Sequence, residues 1–361
     1  MGAHPKAPSM VFSDGDWRSL PELIQNNPED ILGPAIARKF SNKLPFLFKI
    51  LASAKPLSIQ AHPSKEEAKE GFARENIQKI PLNAPHRNYK DENHKPEMIC
   101  ALKPLSALKG FRKVEEIVQL MDKIGAPTQK QGIDVFRNQP NQEGLKDFFH
   151  AMMTMDRERQ RRVVNEVVAC AERYSKTDET FEWVIRLNGE YPGDIGVLSP
   201  ILLNVVHLNP GEAIHIPAGE LHAYLEGAGL ELMASSDNVL RGGLTPKHVD
   251  VPELLKILHF QYHETEILRP EIHETGEHLY PTVSDEFILS VIPLDEGSFY
   301  ESPQRRSVEI MICMEGDAHI TDLESGEILD LSQGTSIIIP AAVKQYRLEG
   351  MSTIYKAAVP I

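Results

Sequence analysis

An internal repeat constrains the fold of this 361-residue chain more than any other feature of its sequence. Residues Gly211–Ala218 resemble residues Gly334–Ala341, and the similarity continues without a gap to two Leu-Glu-Gly segments, at 225–227 and 348–350. Each copy reads as a glycine turn, a short alternating strand, an Ile-Pro-Ala break and a second strand, which is the pattern of one jelly-roll hairpin. Two copies therefore predict two related jelly-roll barrels.

The two copies differ at one position of chemical interest. His222 in the first copy corresponds to Gln345 in the second, at the same offset that separates Gly211 from Gly334. If His222 binds a metal ion, the second copy has lost that ligand. We therefore expect a single metal site, in the first barrel.

Apolar residues recur at helical spacing in the stretch that precedes the first copy of the repeat. Each of three stripes forms one face of an amphipathic helix, and their members are Val114, Ile117, Val118 and Met121, then Leu145, Phe148, Phe149, Met152 and Met153, then Val163, Val164, Val167, Val168 and Ala171. Before them, short apolar runs such as Leu44–Ile50 and Pro56–Gln60 predict short strands in residues 1–100. The fold class is therefore mainly β with a helical insertion.

This organisation predicts three domains. Residues 1–110 and 190–264 would form a discontinuous first β domain that carries the functional site. Residues 111–189 would form the helical domain, and residues 265–361 a second β domain without a metal ion. A chain of this length is expected to divide in this way, because a single hydrophobic core rarely grows so large.

Composition excludes several classes of function. The hydrophobic fraction of 41% is ordinary for a globular protein, and the net charge of −14 disfavours binding to nucleic acid or to anionic membranes. Three widely spaced cysteines give neither a disulfide framework nor a CxxC metal site. No apolar run approaches the roughly 20 residues that span a bilayer, and we expect a cytoplasmic protein.

Four side chains in three short motifs form a ligand set for a metal ion. Gln60 and His62 lie two apart in a predicted strand and share a face, Glu97 ends the motif Asn93–Glu97, and His222 lies in the first repeat. Taken singly, each has a simpler explanation: a polar contact, a salt bridge between Lys95 and Glu97, or a core histidine. Together, two imidazoles, a carboxylate and an amide oxygen suit zinc, and they leave positive charge for Lewis-acid chemistry.

A second polar segment has the composition of an anion-binding loop. Asp237, Arg241 and Lys247 surround the pair Gly242–Gly243, where glycine permits a close approach of backbone to ligand. A surface loop with scattered charges is the alternative. With Lys49 and Lys95, these cations would supply the local basic cluster that an acidic protein needs in order to bind a phosphate group.

These motifs resemble one known family over essentially the whole chain. Tyr89–Met98 is similar to one signature of the type I mannose-6-phosphate isomerases, and His222–Lys247 is similar to the other. The segments Lys43–Lys49 and Gln60–Pro63 match as well. The resemblance implies a catalytic cupin domain, a helical domain and a second cupin-like domain. It implies one Zn²⁺ held by Gln60, His62, Glu97 and His222, catalytic Arg241, and active-site polar residues at Lys49, Lys95, Glu231, Asp237 and Lys247.

The start of the chain departs from the family pattern. Met1–Lys6 is similar to a motif that family members carry after several dozen further residues. We therefore expect the first β domain to lack N-terminal strands that the family has, although no expected zinc ligand is missing.

The family's reaction interconverts mannose 6-phosphate and fructose 6-phosphate by moving a proton between C1 and C2 through a cis-enediol(ate). Zinc and Arg241 would stabilise the developing oxyanion. Lys95, Glu231, Asp237 and a zinc-bound hydroxide are the candidates for the base, and we assign Lys49 and Lys247 to the substrate. An Fe(II) cupin oxygenase and a non-catalytic sugar-phosphate-binding cupin are the alternatives. We expect a monomer whose only partner is its sugar phosphate.

Overall fold

The computed structural model describes residues 1–13 and 15–361, with only the backbone described at residues 129–131. Its strands are β1 (Met10–Ser13), β2 (Asp16–Ser19), β3 (Phe46–Ser53), β4 (Ile59–Ala61), β5 (Glu97–Ala101), β6 (Leu105–Phe111), β7 (Leu203–Leu208), β8 (Ala213–Ile216), β9 (His222–Ala234), β10 (Leu240–Gly243), β11 (Glu271–Ile272), β12 (His278–Leu279), β13 (Ile288–Leu294), β14 (Phe299–Glu301), β15 (Glu309–Asp322), β16 (Ile328–Ser332), β17 (Ser336–Ile339) and β18 (Tyr346–Ala358).

The helices fall into three groups along the chain. They are α1 (Leu20–Asn26), α2 (Pro28–Leu32), α3 (Pro34–Lys39) and α4 (Lys65–Ile77), then α5 (Val114–Ile124), α6 (Lys130–Asn138), α7 (Gln142–Met153), α8 (Arg157–Tyr174) and α9 (Glu179–Glu190), then α10 (Ser199–Leu202) and α11 (Val251–Ile257). None of the described helices has both the length and the apolar character that crossing a bilayer demands.

Two large sheets contain most of the strands in the described part of the chain. The first has the order β10–β4–β9–β5–β8, with β3 and β6 also paired to β9 and with β7 paired to β6. The second has the order β11–β12–β13–β18–β15–β16, with β14 on β18 and β17 on β15. The predicted fold class, mainly β with a helical insertion, is confirmed.

The sequence repeat is also a structural repeat. The turn glycines Gly211 and Gly334 have φ of +83° and +87°, and each is followed by a short strand, β8 or β17, and then by a long strand, β9 or β18. Gly227 and Gly350 lie at equivalent points within the two long strands and have φ of +122° and +139°. A Cβ atom at either glycine would lie 2.4 Å from a carbonyl oxygen of the adjacent strand or turn, so the close approach requires glycine at both places.

Helices α5–α9 form the insertion that the apolar periodicity predicted. Their apolar faces pack into one core that also contains Ile59 on β4, Leu240 on β10 and Leu221, which directly precedes β9. Each of these residues is the chain neighbour of a polar residue: Gln60, Arg241 and His222, respectively. Because successive strand residues point to opposite faces, the insertion covers one face of this sheet and leaves the other to the polar side chains.

The prediction for the first hundred residues was incomplete, because four helices lie among the strands. Helix α4 shows the reason: it begins with a capping box between Ser64 and Glu67, but the residues it buries are Ala68, Gly71 and Glu75. A helix that buries small and charged side chains has no apolar stripe, and its sequence therefore lacks helical periodicity.

Charged side chains fill part of the interior of the second sheet. Lys356 is buried, with its Nζ atom 2.7 Å from Glu277 Oε1 and 3.4 Å from Glu309 Oε1. Gln345, the counterpart of His222, donates a hydrogen bond to the carbonyl of Ser302. Within the described residues, the only cluster of three or more His, Cys, Asp or Glu side chains with metal-binding spacing lies in the first sheet.

Candidate active site and metal centre

Sheet register places three of the expected site residues side by side. His222 on β9 lies directly opposite Gln60 on β4, and Gln60 lies directly opposite Arg241 on β10. Residues that face each other across antiparallel strands project from the same face of the sheet. The three side chains therefore form a row on the face opposite the helical insertion.

Glu97 closes the site from the next strand, β5. One carboxylate oxygen, Oε1, lies 3.3 Å from His62 Nε2, and the other, Oε2, lies 3.3 Å from His222 Nε2. The ligand atoms of the three residues all lie within 4.8 Å of one another, and all three side chains are buried. Two imidazoles and a carboxylate from three separate motifs thus converge on one point.

Backbone carbonyls determine which nitrogen of each imidazole faces that point. His62 Nδ1 lies 2.7 Å from the carbonyl oxygen of Asn238, and His222 Nδ1 lies 3.2 Å from that of Glu220. A carbonyl can only accept, so each Nδ1 carries a proton and each ring presents its Nε2 atom to Glu97. Burial also lowers the pKa of His62 to about 4, which keeps its imidazole neutral at physiological pH.

The arrangement fits a bound zinc ion. His62 Nε2 is fully buried and makes no hydrogen bond of acceptable geometry with any described residue, even though Glu97 is near. A buried lone pair without a donor is costly unless a cation occupies the space before it. Two nitrogen ligands and one carboxylate, with further positions open, match catalytic rather than structural zinc sites.

Gln60 is placed to complete the ligand set. Its side-chain amide nitrogen lies 3.4 Å from Ser58 Oγ, and no described residue donates a hydrogen bond to its amide oxygen. Because Gln60 lies directly opposite His222, its side chain projects on the ligand-bearing face. The structure therefore brings together the four residues that the sequence singled out as ligands.

Two lysines and a second carboxylate surround Glu97. Lys95 Nζ lies 3.0 Å from Glu97 Oε1, and Lys49 Nζ lies 3.0 Å from Glu231 Oε2. Burial alone would raise the pKa of Glu97, but the positive charge of Lys95 outweighs it and holds that pKa well below its usual range. Burial and the charge of Glu97 raise the pKa of Glu231, and the two lysines only partly oppose this.

Asp237 lies in a different environment. His4 Nε2 is 3.0 Å from one of its carboxylate oxygens, and Lys6 Nζ is 3.1 Å from the other. The backbone amide of Lys6 donates to His4 Nδ1, so the ring proton of His4 lies on Nε2 and points to Asp237. Partial burial would raise the pKa of Asp237, but Lys6 and His4 outweigh it and lower that pKa.

Arg241 has no carboxylate partner among the described residues. It is half-buried, and burial, with no acid to offset it, lowers the pKa of its guanidinium. Lys247 lies six residues further along the chain, and its exposed side chain makes no ion pair with any described residue. The positive charges of Arg241 and Lys247 are therefore not neutralised by a described carboxylate, although the chain as a whole has a net charge of −14.

Three family profiles match the chain. That for the catalytic domain of type I phosphomannose isomerase matches residues 1–114, and that for its helical insertion domain matches residues 120–203. The profile for the cupin domain of mannose-6-phosphate isomerase matches residues 277–358. The chain belongs to the type I phosphomannose isomerase family.

Full-length relatives and solved structures agree with this family assignment. The mannose-6-phosphate isomerase of Escherichia coli K12 is 40% identical over 352 residues, which cover 97% of this chain and 88% of that protein. Mannose-6-phosphate isomerase 1 of Arabidopsis thaliana is 31% identical over an alignment of 384 positions, which covers 99% of this chain and 84% of that protein. A zinc-bound crystal structure of mannose 6-phosphate isomerase superimposes with a TM-score of 0.92 at 38% identity, covering 100% of this chain and 90% of the other.

A crystal structure of a phosphomannose isomerase variant from Salmonella typhimurium gives a TM-score of 0.93 at 38% identity, covering 100% of this chain and 90% of that one. The zinc-bound relative and the three-residue ligand cluster together support one Zn²⁺ in this member of the type I phosphomannose isomerase family.

Two residues near the site were not identified from the sequence. Tyr224 lies two residues beyond His222 on β9, is buried, and has a hydroxyl group without a described hydrogen-bond partner. Asn238 is fully buried, and its side chain bonds to the backbone of residues 90, 91 and 93 while its carbonyl holds His62. The alternation of His222 with Tyr224 could have indicated the first, but the role of Asn238 depends on contacts between distant segments.

We expect the His222→Ala variant to lose zinc. Without this imidazole, the ligand set keeps one nitrogen, and the metal content after dialysis should fall from one zinc per chain to nearly none. Mass spectrometry of metals measures the stoichiometry, and thermal unfolding confirms that the variant is folded.

His207→Ala is the matched control, because His207 is an exposed histidine on β7 of the same sheet. Stoichiometric zinc in the His222→Ala variant would contradict the ligand assignment, as would loss of zinc from the control.

Proposed function

We propose that this protein is a zinc-dependent mannose-6-phosphate isomerase that interconverts mannose 6-phosphate and fructose 6-phosphate. The observation that carries the proposal is the convergence of His62, Glu97 and His222 beside Arg241, a cation without a carboxylate partner. An open metal position next to an unpaired guanidinium suits a substrate that must bind through oxygen and develop negative charge. The names of the relatives support the choice of substrate.

Isomerisation requires that a weakly acidic C–H proton move between C2 and C1. When bound at His62, Glu97, His222 and Gln60, zinc supplies a Lewis acid toward the carbonyl and hydroxyl oxygens of the substrate. Arg241 projects from the same face of the sheet, where its fixed positive charge stabilises the oxygen of the cis-enediolate. The positive charge of Lys95 stabilises the ionised carboxylate of Glu97 in its buried position.

Glu231 is the base that the surroundings favour. Lys95 is an ammonium whose pKa, although lowered by burial, is raised overall by Glu97 and Glu231, so that it holds its proton. Asp237 has both oxygens occupied by His4 and Lys6. Glu231 is buried, and only its Oε2 atom is engaged by a described side chain, that of Lys49. Its raised pKa moves it toward the working range of a proton shuttle.

The remaining assignments complete the proposal. Lys49 and Lys247 contact the substrate, and Asp237 orients its neighbours at the site rather than acting as the base. Residues 1–110 and 190–264 form the catalytic cupin domain, residues 111–189 the helical domain and residues 265–361 a cupin-like domain without metal. The protein acts as a cytoplasmic monomer.

A coupled assay for fructose 6-phosphate tests the function directly. We expect turnover of mannose 6-phosphate, its loss after incubation with a chelator, and its recovery when zinc is added back, because the Lewis acid is required for the proton transfer. A chain that binds the sugar phosphate but forms no fructose 6-phosphate would disprove the enzymatic proposal. Oxygen consumption with iron in place of isomerisation would instead identify a cupin oxygenase.

We expect the Arg241→Ala variant to keep zinc but to lose kcat by about 10²–10³-fold, the usual cost of deleting one preorganised electrostatic stabiliser. Steady-state kinetics and the metal content measure the two effects. Arg269→Ala is the control, because Arg269 is an arginine on the surface that pairs with Glu212. A kcat within twofold of the parent in the Arg241→Ala variant would rule out the catalytic role.

We expect the Glu231→Gln variant to retain zinc and to lose kcat by about 10²–10⁴-fold, because the amide cannot take up the proton. Asp237→Asn serves for comparison and should lose less, since its carboxylate is engaged by His4 and Lys6. NMR measurement of the exchange of the C2 hydrogen of mannose 6-phosphate with solvent deuterium reports on proton removal by the base alone. The opposite ranking of the two variants would transfer the role of base to Asp237.

A further inference from the structure

A buried ion pair lies beside His222, and the catalytic arrangement described above does not use it. Lys109 on β6 lies directly opposite His222, on the side of β9 away from Gln60. Its Nζ atom lies 3.2 Å from Oε1 of Glu220, and the two side chains are only 8% and 11% exposed. Because residues that face each other across antiparallel strands share a face, the polar row continues past His222 to Lys109.

The turn that carries Glu220 contacts both histidines of the ligand cluster. It joins β8 to β9 and consists of residues 217–221. The carbonyl of Glu220 accepts a hydrogen bond from His222 Nδ1 at 3.2 Å, and the amide of Gly219 donates one to the carbonyl of His62 at 2.8 Å. The position of this turn therefore determines where the His222 ring points and connects it to the backbone of His62.

Strand β6 holds this turn through two consecutive residues. The amide of Gly110 donates to the carbonyl of Leu221 at 2.8 Å, and Lys109 pairs with the Glu220 side chain. Gly110 has φ of +61°, and a Cβ atom there would lie 2.4 Å from Glu220 Oε1. The glycine thus leaves the space that the carboxylate occupies.

The energetics of the pair favour a geometric role over a stabilising one. The desolvation of two buried charges largely offsets their attraction, so such pairs add little to the free energy of unfolding. A lysine beside the ligands of a divalent cation is also unfavourable by itself, because like charges repel. What the pair supplies is a directional contact that fixes the turn relative to β6.

We propose that Lys109 and Glu220 are positioning residues of the zinc site. Their ion pair fixes the turn of residues 217–221, and the carbonyl of Glu220 in turn keeps His222 Nε2 directed at the metal position. Outer contacts that orient a ligand in this way change metal affinity by about 10–100-fold. The catalytic relevance of this inference rests on the proposed function, whereas its effect on zinc is measured without substrate.

The test measures the zinc affinity of the zinc-loaded, full-length protein by competition with a chromophoric chelator. We expect Lys109→Met and Glu220→Leu each to weaken zinc binding about 10–100-fold, because either change releases the turn. The double variant Lys109→Met/Glu220→Leu should weaken it no further, since the two residues act as a unit. The visible spectrum of the cobalt-loaded protein, which reports ligand geometry, should change in all three.

A simple effect of charge predicts a different pattern. Loss of the Lys109 ammonium would then strengthen zinc binding, loss of the Glu220 carboxylate would weaken it, and the double variant would bind zinc like the parent. That pattern would overturn the proposal, as would parent-like zinc affinity and cobalt spectra in the folded variants.

Gly110→Ala tests the same geometry without a change of charge, and it serves if the other variants fail to fold. Its Cβ atom displaces the Glu220 carboxylate, so zinc binding should weaken by at least about tenfold. Gly125→Ala is the matched control, because Gly125 also has φ of +61° but its Cβ atom would meet nothing closer than 3.8 Å. Parent-like zinc affinity in the folded Gly110→Ala variant would contradict the positioning role.

A second control separates positioning from general destabilisation. Glu277→Leu removes one partner of the buried pair between Lys356 and Glu277 in the second sheet, and it should leave zinc affinity and the cobalt spectrum unchanged. Weaker zinc binding in this control would overturn the proposal.

Zinc affinity does not depend on turnover, so the two proposals fail separately. Zinc binding that the variants weaken in a protein without isomerase activity would leave the positioning role assigned and remove the enzymatic function. Parent-like zinc binding by the variants of an active isomerase would do the reverse.

Discussion

Glu97 carries a negative charge in a position that is almost closed to water, and the active site is built around that constraint. A buried carboxylate is tolerated only when cations and hydrogen-bond donors compensate the lost hydration. Lys95 lies 3.0 Å from one oxygen, and the two imidazole nitrogens lie 3.3 Å from the pair of oxygens. Because each imidazole donates from Nδ1 to a backbone carbonyl, both Nε2 atoms face Glu97, and a cation between them completes the compensation.

Strand β9 brings the parts of this arrangement together. It carries His222 at its first position and Glu231 near its end, and it pairs with β3, β4, β5 and β6. Gly227 lets the strand pass close to Leu105, where a Cβ atom would collide. The helical insertion covers the opposite face of the same sheet, so the polar row is supported from behind by a hydrophobic core. The insertion thus stabilises the site without supplying a ligand.

The second copy of the repeat shows that this fold does not require a metal ion. It keeps the turn glycine, the short strand and the long strand with its own glycine, but Gln345 stands in place of His222. Its interior balances Lys356 against Glu277 and Glu309, so the buried charges compensate one another without a cation from outside. The architecture is therefore shared between the copies, whereas the metal chemistry depends on a few side chains.

The sequence alone determined the repeat, the helical insertion and the residue types of the site, because glycine turns, apolar periodicity and ligand chemistry are local properties. It did not reveal helix α4, whose buried Ala68 and Gly71 leave no apolar stripe. Only the tertiary structure decided that Gln60 lies between His222 and Arg241, that Asn238 orients His62, and that Asp237 is engaged by His4. Those relations depend on strand register and on contacts between distant segments, which no local pattern encodes.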